Sequence, residues 1–162
     1  MPTKKYTKKK KQGYLDFNHA RTPEQISLMK KIVEDGVCPF CKEFFTKYHP
    51  KPILKETKWW YVSENMSPYE GTSLHLIFVY KEHAVMPSEI SPEASKELFK
   101  LISWAEKENE LEGGSFFVRF GKSEMTGGSV DHFHVQLIVG NAKGTDKKYD
   151  KLKVKLGYKK PE

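Results

Sequence analysis

His132-Phe133-His134-Val135-Gln136-Leu137-Ile138-Val139 sets two imidazoles and a carboxamide at every second position of an apolar run. A period of two is β-strand spacing, because successive side chains of a strand point to opposite faces. His132, His134 and Gln136 are therefore expected on one face, with Phe133, Val135 and Leu137 packed on the other. Such a polar row can meet a phosphate. Imidazole is largely neutral near pH 7 and is a good nucleophile toward phosphorus, and the phosphoramidate it forms can be turned over. A carboxamide beside it donates to a phosphate oxygen without exchanging a proton. The competing reading is a buried strand whose histidines are satisfied by their neighbours.

Thr126-Gly127-Gly128-Ser129-Val130 leads straight into this strand. The two glycines allow the backbone to approach an anion and to offer it N–H groups, and Ser129 adds a hydroxyl three residues before His132. Alone, Gly127-Gly128-Ser129 is a turn. Joined to the His-x-His-x-Gln strand, it resembles the phosphate end of the histidine triad superfamily. The hydrolase branch of that superfamily ends the triad in a third His. Gln136 instead matches the transferase branch, which includes galactose-1-phosphate uridylyltransferases and dinucleoside tetraphosphate phosphorylases. The resemblance implies that His134 is the nucleophile that carries a nucleoside monophosphate, with Gln136 holding the phosphate and Ser129 assisting. It also implies that His132 is a zinc ligand.

Three further ligands for such a zinc site are present. Cys38-Pro39-Phe40-Cys41 supplies two thiols at C-x-x-C spacing, and Tyr80-Lys81-Glu82-His83 follows the apolar run from Leu74 with an imidazole. With His132 they make a closed Cys2His2 set of the kind that holds structural zinc. The family's zinc-bearing members use the same order. Two other readings of the cysteines stand beside it: a glutaredoxin-like redox turn, which needs a βαβ context, and two reduced thiols buried as small hydrophobes.

Trp60 to Pro68 reads as a strand running into a turn. By the resemblance Asn65 holds the ribose hydroxyls, and Phe40 and Met66 line the base pocket, where a ring and a polarisable thioether grip a base without reading its edge. The chain departs from the family at two places. Many members carry a phosphate-contacting Asn about eleven residues before the first His of the row, whereas this chain has Gly121 there, flanked by Arg119 and Lys122. Either cation could supply the missing donor, Arg119 as a fork and Lys122 as a point charge. Asp131 stands where the family usually has an apolar residue; a carboxylate there could orient a zinc-bound imidazole.

The net charge of +7 is unevenly placed. Residues 1–13 hold six Lys and no acid, and residues 141–162 hold eight Lys against Asp146, Asp150 and Glu162. The remaining residues, 14–140, carry fourteen basic and eighteen acidic side chains, a net −4. We therefore expect a basic, flexible extension over 1–21, a folded domain over 22–140 and a Lys-rich extension over 141–162. Such tails usually stay solvated; the alternative is salt-sensitive contact with RNA or another polyanion. There is no apolar run of the ~18 residues needed to span a membrane and no apolar leader. Two cysteines alone argue against a disulfide framework, so a cytoplasmic location is expected. The resemblance makes a homodimer plausible.

Between the tails, Thr22-Pro23-Glu24-Gln25 opens a helix with Ile26, Met29, Ile32 and Val33 on one face and a stop at Gly36. Ser91-Pro92-Glu93 opens a longer one, with Ala94, Leu98, Leu101, Ile102 and Ala105 on one side and a stop expected at Gly113-Gly114. Strands are expected near 53–56, 58–63, 74–80, 115–120 and 130–139. The fold class is α+β: an antiparallel meander of about five strands with a long helix on one face. The functional expectation is a nucleotidyltransferase or phosphorylase acting on nucleoside phosphoanhydrides, such as dinucleoside polyphosphates or nucleotide sugars. A hydrolase of the same fold and a non-enzymatic zinc-containing RNA-binding module are the alternatives.

Overall fold

In the computed structural model, residues 13–142 and 150–161 are described. The chain runs α1 (Pro23–Asp35), α2 (Phe45–Tyr48), β1 (Ile53–Glu56), β2 (Trp60–Glu64), β3 (Leu74–Tyr80), α3 (Pro92–Glu108), β4 (Ser115–Arg119), α4 (Ser123–Thr126) and β5 (His134–Val139). One five-stranded sheet has the order β1-β2-β3-β5-β4, and every neighbouring pair is antiparallel. The first three strands meander. The chain then crosses over through α3 to lay β4 at the edge, and β5 returns between β3 and β4. This last strand therefore occupies an interior position, flanked on both sides.

Helix α1 begins as its sequence dictates. The Thr22 hydroxyl accepts from the Gln25 N–H at 3.1 Å, Pro23 sits at the first position, and Gly36 ends the helix at φ 68°. Helix α3 is capped by Ser91 in the same way. It stops at Glu108, five residues before the expected Gly113-Gly114. Asn109 bends its side-chain amide back to donate to the Ala105 carbonyl, and Glu110 takes the left-handed turn at φ 48°. An Asn and a Glu thus perform the stop that was assigned to glycine.

The sheet separates two cores. On one face, Trp60, Val62, Leu76, Phe78, Phe133, Val135 and Leu137 pack against Ala94, Leu101 and Ala105 of α3. The Trp60 indole N–H donates to the Ala94 carbonyl at 2.8 Å, which pins the start of the helix to the sheet. On the other face, Tyr61, Ile77 and Val79 meet Phe45 of α2, and Met29 and Ile32 of α1 close over Leu15, Phe17 and Tyr48. The alternation expected for the polar row holds, with Phe133, Val135 and Leu137 on the α3 side. The regular strand is shorter than expected and begins at His134; before it, Val130 bridges to Leu15 and the Asp131 N–H donates to the Tyr14 carbonyl.

That pairing moves the start of the packed body. Leu15, Asp16 and Phe17 are buried, so residues 14–21 belong to the fold rather than to an extension ending at 21. The Asp16 carboxylate accepts from the Asn18 N–H and the Ser123 hydroxyl, both at 2.9 Å, clamping this segment to α4. Most of the basic N-terminal stretch, 1–12, and residues 143–149 lie outside the described residues. Among the described residues, no helix is long and apolar enough to cross a membrane.

Candidate functional site

The cavity of about 350 Å³ lies on the sheet face opposite α3, beneath α1 and the 14–20 segment. His134 of β5 lines it. The His134 Nδ1–H donates to the His132 carbonyl at 2.6 Å, which assigns the proton to Nδ1 and leaves Nε2 with its lone pair. Burial, with the positive field of Arg119, lowers the His134 pKa to about 4. The ring is therefore neutral at pH 7. Phe40 stands edge-on to it, with ring centroids 5.1 Å apart.

Gln136, two residues on, is buried and held from behind. The Tyr69 N–H donates to His75 Nδ1 at 3.2 Å, so the His75 proton is on Nε2, and Nε2–H donates to Gln136 Oε1 at 2.8 Å. With its oxygen occupied, Gln136 can offer only its NH2 to a ligand. Burial lowers the His75 pKa to about 4, which keeps the ring neutral in this relay. Asn65 Nδ2 lies 3.1 Å from the same His75 nitrogen, and Asn65 Oδ1 accepts from the Ser67 N–H at 2.8 Å. The sheet register brings these groups together: Gln136 pairs with Ile77 of β3 and Phe117 of β4, and His134 with Val79 and Arg119.

Arg119 is fixed by three bonds. Its Nε donates to the Thr126 carbonyl at 2.7 Å, and its Nη2 donates to the Tyr69 hydroxyl at 2.8 Å and to the Lys155 carbonyl at 3.1 Å. Arg21 lies over the Tyr69 ring at 4.4 Å and donates to the Ser67 carbonyl. Of the residues singled out in the sequence, His134, Gln136, Ser129, Gly128, Asn65, Phe40, Met66 and Arg119 all line the cavity. Lys122 does not. It is exposed at the start of α4, so the cation beside the missing Asn is Arg119.

The glycine turn also differs from expectation. The Gly127 N–H donates to the Ser123 carbonyl at 3.0 Å and the Gly128 N–H to the Thr126 hydroxyl at 3.2 Å, so neither is offered to an anion. Their use is close approach: a Cβ on Gly128 would stand 3.3 Å from the Arg119 side chain. His75, Arg21 and Tyr69 were not anticipated. A lone His in the apolar run 74–80 was the available signal for the first; nothing local marks the other two.

Cys38, Cys41, His83 and His132 converge, with their ligand atoms all within 4.8 Å of one another. Cys38 Sγ is 3.2 Å and Cys41 Sγ 3.8 Å from His132 Nδ1, and Cys41 Sγ is 3.5 Å from His83 Nδ1. The His132 Nε2–H donates to the Tyr80 carbonyl at 2.6 Å, so its Nδ1 lone pair faces the sulfurs. Two thiols and two imidazoles with this spacing can hold a metal ion, and the set fits the tetrahedral demand of zinc. The cysteines are unpaired, and burial, with Cys38 beside it, pushes the Cys41 thiol up to about 12. The all-antiparallel sheet lacks the βαβ setting that a glutaredoxin turn needs.

No protein-family profile matches the sequence, and no curated protein matches it. Solved structures do. A histidine triad protein from Clostridium difficile superposes with a TM-score of 0.52 at 20% identity, over 68% of this chain and 96% of that one. A structure described as a HIT-like protein gives 0.51 at 16% identity, over 62% and 96%. A zinc-bound histidine triad family protein from Mycobacterium smegmatis gives 0.50 at 19% identity, over 69% and 80%. The fold is that of the histidine triad proteins.

Proposed function

We propose that the protein is an enzyme of the histidine triad superfamily that transfers a nucleoside monophosphate through a covalent nucleotidyl-His134. The observation that carries this reading is the His134 tautomer: a buried neutral ring whose Nδ1–H is committed to its own strand, in a cavity that also presents Gln136, Ser129 and Arg119. Nε2 attacks the α-phosphorus, an N–P bond forms, and the P–O bond to the leaving group breaks with its electron pair staying on the departing oxygen. The positive charge that develops on the ring is met by the His132 carbonyl. In the second step an acceptor oxygen attacks phosphorus and the ring regains its lone pair.

Gln136 argues for the substrate class. It cannot protonate a leaving group, so the reaction suits one that departs as a stable anion, and a phosphate or polyphosphate does so near pH 7. This favours phosphoanhydrides. The Gln136 NH2 and the Arg119 guanidinium would hold non-bridging oxygens, Ser129 would add a hydroxyl, Asn65 would meet the ribose, and Phe40 and Met66 would bound the base. Cys38, Cys41, His83 and His132 would hold structural zinc, which supplies no chemistry to the transfer; it fixes the segment that ends two residues before the nucleophile.

The test is intact-mass analysis after incubation with dinucleoside polyphosphates, nucleotide sugars and adenylyl sulfate, without acceptor. A gain of one nucleoside monophosphate, absent in His134→Ala, is expected. Mononucleotide released into water without an accumulating adduct would favour the hydrolase reading. Absence of both, with salt-dependent RNA binding that survives His134→Ala, would favour a non-catalytic module.

A further inference from the structure

The charge around the cavity exceeds what one nucleotide phosphate needs. Arg21, Arg119, Lys153 and Lys155 line it, and no carboxylate does so among the described residues. The 14–140 segment, which supplies the rest of the lining, carries a net charge of −4. Two of the four cations come from the C-terminal stretch, which the sequence marks only as a Lys-rich tail.

That stretch is seated against the site. The Lys155 carbonyl accepts from Arg119 Nη2. Gly127 takes φ 71° beneath it, and a Cβ there would stand 3.0 Å from the Lys155 oxygen. Gly157 approaches so closely that a Cβ would meet the Met125 carbonyl at 2.5 Å, and the Tyr158 ring lies 6.1 Å from His19. Lys153 Nζ is 3.5 Å from an Asp150 carboxylate oxygen, but both side chains are about four-fifths exposed (79% and 85%), a pairing that water largely screens. Arg119 links the two regions, since it opposes His134 in the sheet register and bonds the tail through its guanidinium.

We propose that Arg119, Lys153 and Lys155 form a second phosphoryl-anion subsite at the tail side of the cavity, next to the position where His134 meets the α-phosphate. Its ligand is a phosphoryl group beyond the α-phosphate, either a distal phosphate of the donor or a free phosphate acting as acceptor. Placing it beside the α-phosphate rests on the nucleotidyl-transfer reading; the binding site itself does not. An anion bound among these cavity-lining cations meets charge-assisted hydrogen bonds and a locally positive field, which is the driving force for such a site.

The test is calorimetric titration of the full chain with inorganic tripolyphosphate. The double variant Lys153→Ala/Lys155→Ala is expected to bind about tenfold more weakly than the unaltered protein. The charge-matched control Lys96→Ala/Lys100→Ala, on the outer face of α3, is expected to bind as the unaltered protein does. Equal binding by the 153/155 variant, or equal loss in the control, would overturn the subsite. Adduct kinetics separate the sources. A distal donor phosphate predicts that the 153/155 variant loses preference for donors with three phosphates beyond the α over donors with one; an acceptor predicts slower discharge of the adduct by phosphate. If no adduct forms in any protein while tripolyphosphate binding still depends on the two lysines, the transfer reading fails and the subsite stands.

Discussion

His75 decides which end of the Gln136 amide is left to face the cavity. Its Nε2–H occupies Oε1 because the Tyr69 N–H already occupies Nδ1. Removing that donor frees the amide to turn its oxygen, an acceptor, toward a phosphate. His75→Phe keeps a ring to stack on Tyr69, 5.0 Å away, and abolishes the relay. Adduct formation measured in single turnovers is expected to slow about tenfold, less than the loss of a whole oxyanion donor because Gln136 remains. An unchanged rate would remove His75 from the site. The His134 and Gln136 alternation was legible in eight consecutive residues, since strand period alone assigns their face. His75 was not, because one His in an apolar strand reads as core. What places it on Gln136 is a pairing sixty-one residues away in sequence. In the sequence Arg21 ends a basic stretch for the same reason: only the packing of Leu15 and Phe17 brings it over Tyr69.

Element starts were legible and element ends less so. Thr22-Pro23 and Ser91-Pro92 carry their capping chemistry locally, whereas the stop of α3 depends on Asn109 folding onto its own helix, which competes with a downstream glycine pair that the sequence made more conspicuous. The strand order was out of reach for a related reason: short connections favour antiparallel neighbours, but inserting β5 between β3 and β4 is a choice of the whole sheet. The turn from α4 into the 128–133 segment is where local conformation and tertiary approach coincide. Gly127 has both a positive φ and the Lys155 oxygen above it, so Gly127→Ala is expected to destabilise by about 1–2 kcal/mol in urea unfolding, the usual cost of a left-handed non-glycine residue. Gly113, with open space around its α-carbon and no positive φ, is the control: Gly113→Ala is expected to be neutral within about 0.5 kcal/mol. Equal effects at the two positions would mean that the left-handed conformation at Gly127 carries no cost.

Across the molecule, the cysteines follow α1, His83 follows β3 and His132 precedes β5, so one ion would tie three segments that the chain otherwise joins only through packing. Structural zinc in small domains contributes on the order of 10 kcal/mol of apparent free energy. Elemental analysis is expected to give one zinc per chain, and chelation to abolish adduct formation at a chelator level where circular dichroism still reports a folded sheet. Full activity in the chelated protein would separate the cluster from the nucleophile. A second global property follows from the buried rings outside that cluster. His75 is held to a pKa of about 4 by burial, and burial likewise lowers His49, which is bonded to Ser63 and the Glu64 carbonyl. Both are harder to protonate in the fold than in the unfolded chain, where they titrate near 6.5. Below pH 6.5 the unfolded chain therefore takes up protons that the folded chain refuses, and stability falls with pH until about 4, where His75 protonates in the fold as well. His75 alone accounts for about 3 kcal/mol of this loss at roughly 1.4 kcal/mol per pH unit. Urea midpoints measured from pH 7 to 4.5 are expected to drop steeply in the unaltered protein and less steeply in His75→Phe, the slopes differing by about one proton. Carboxylates titrate alike in both proteins and cancel in that difference, so parallel slopes would mean that His75 is not the neutral, buried ring that orients Gln136.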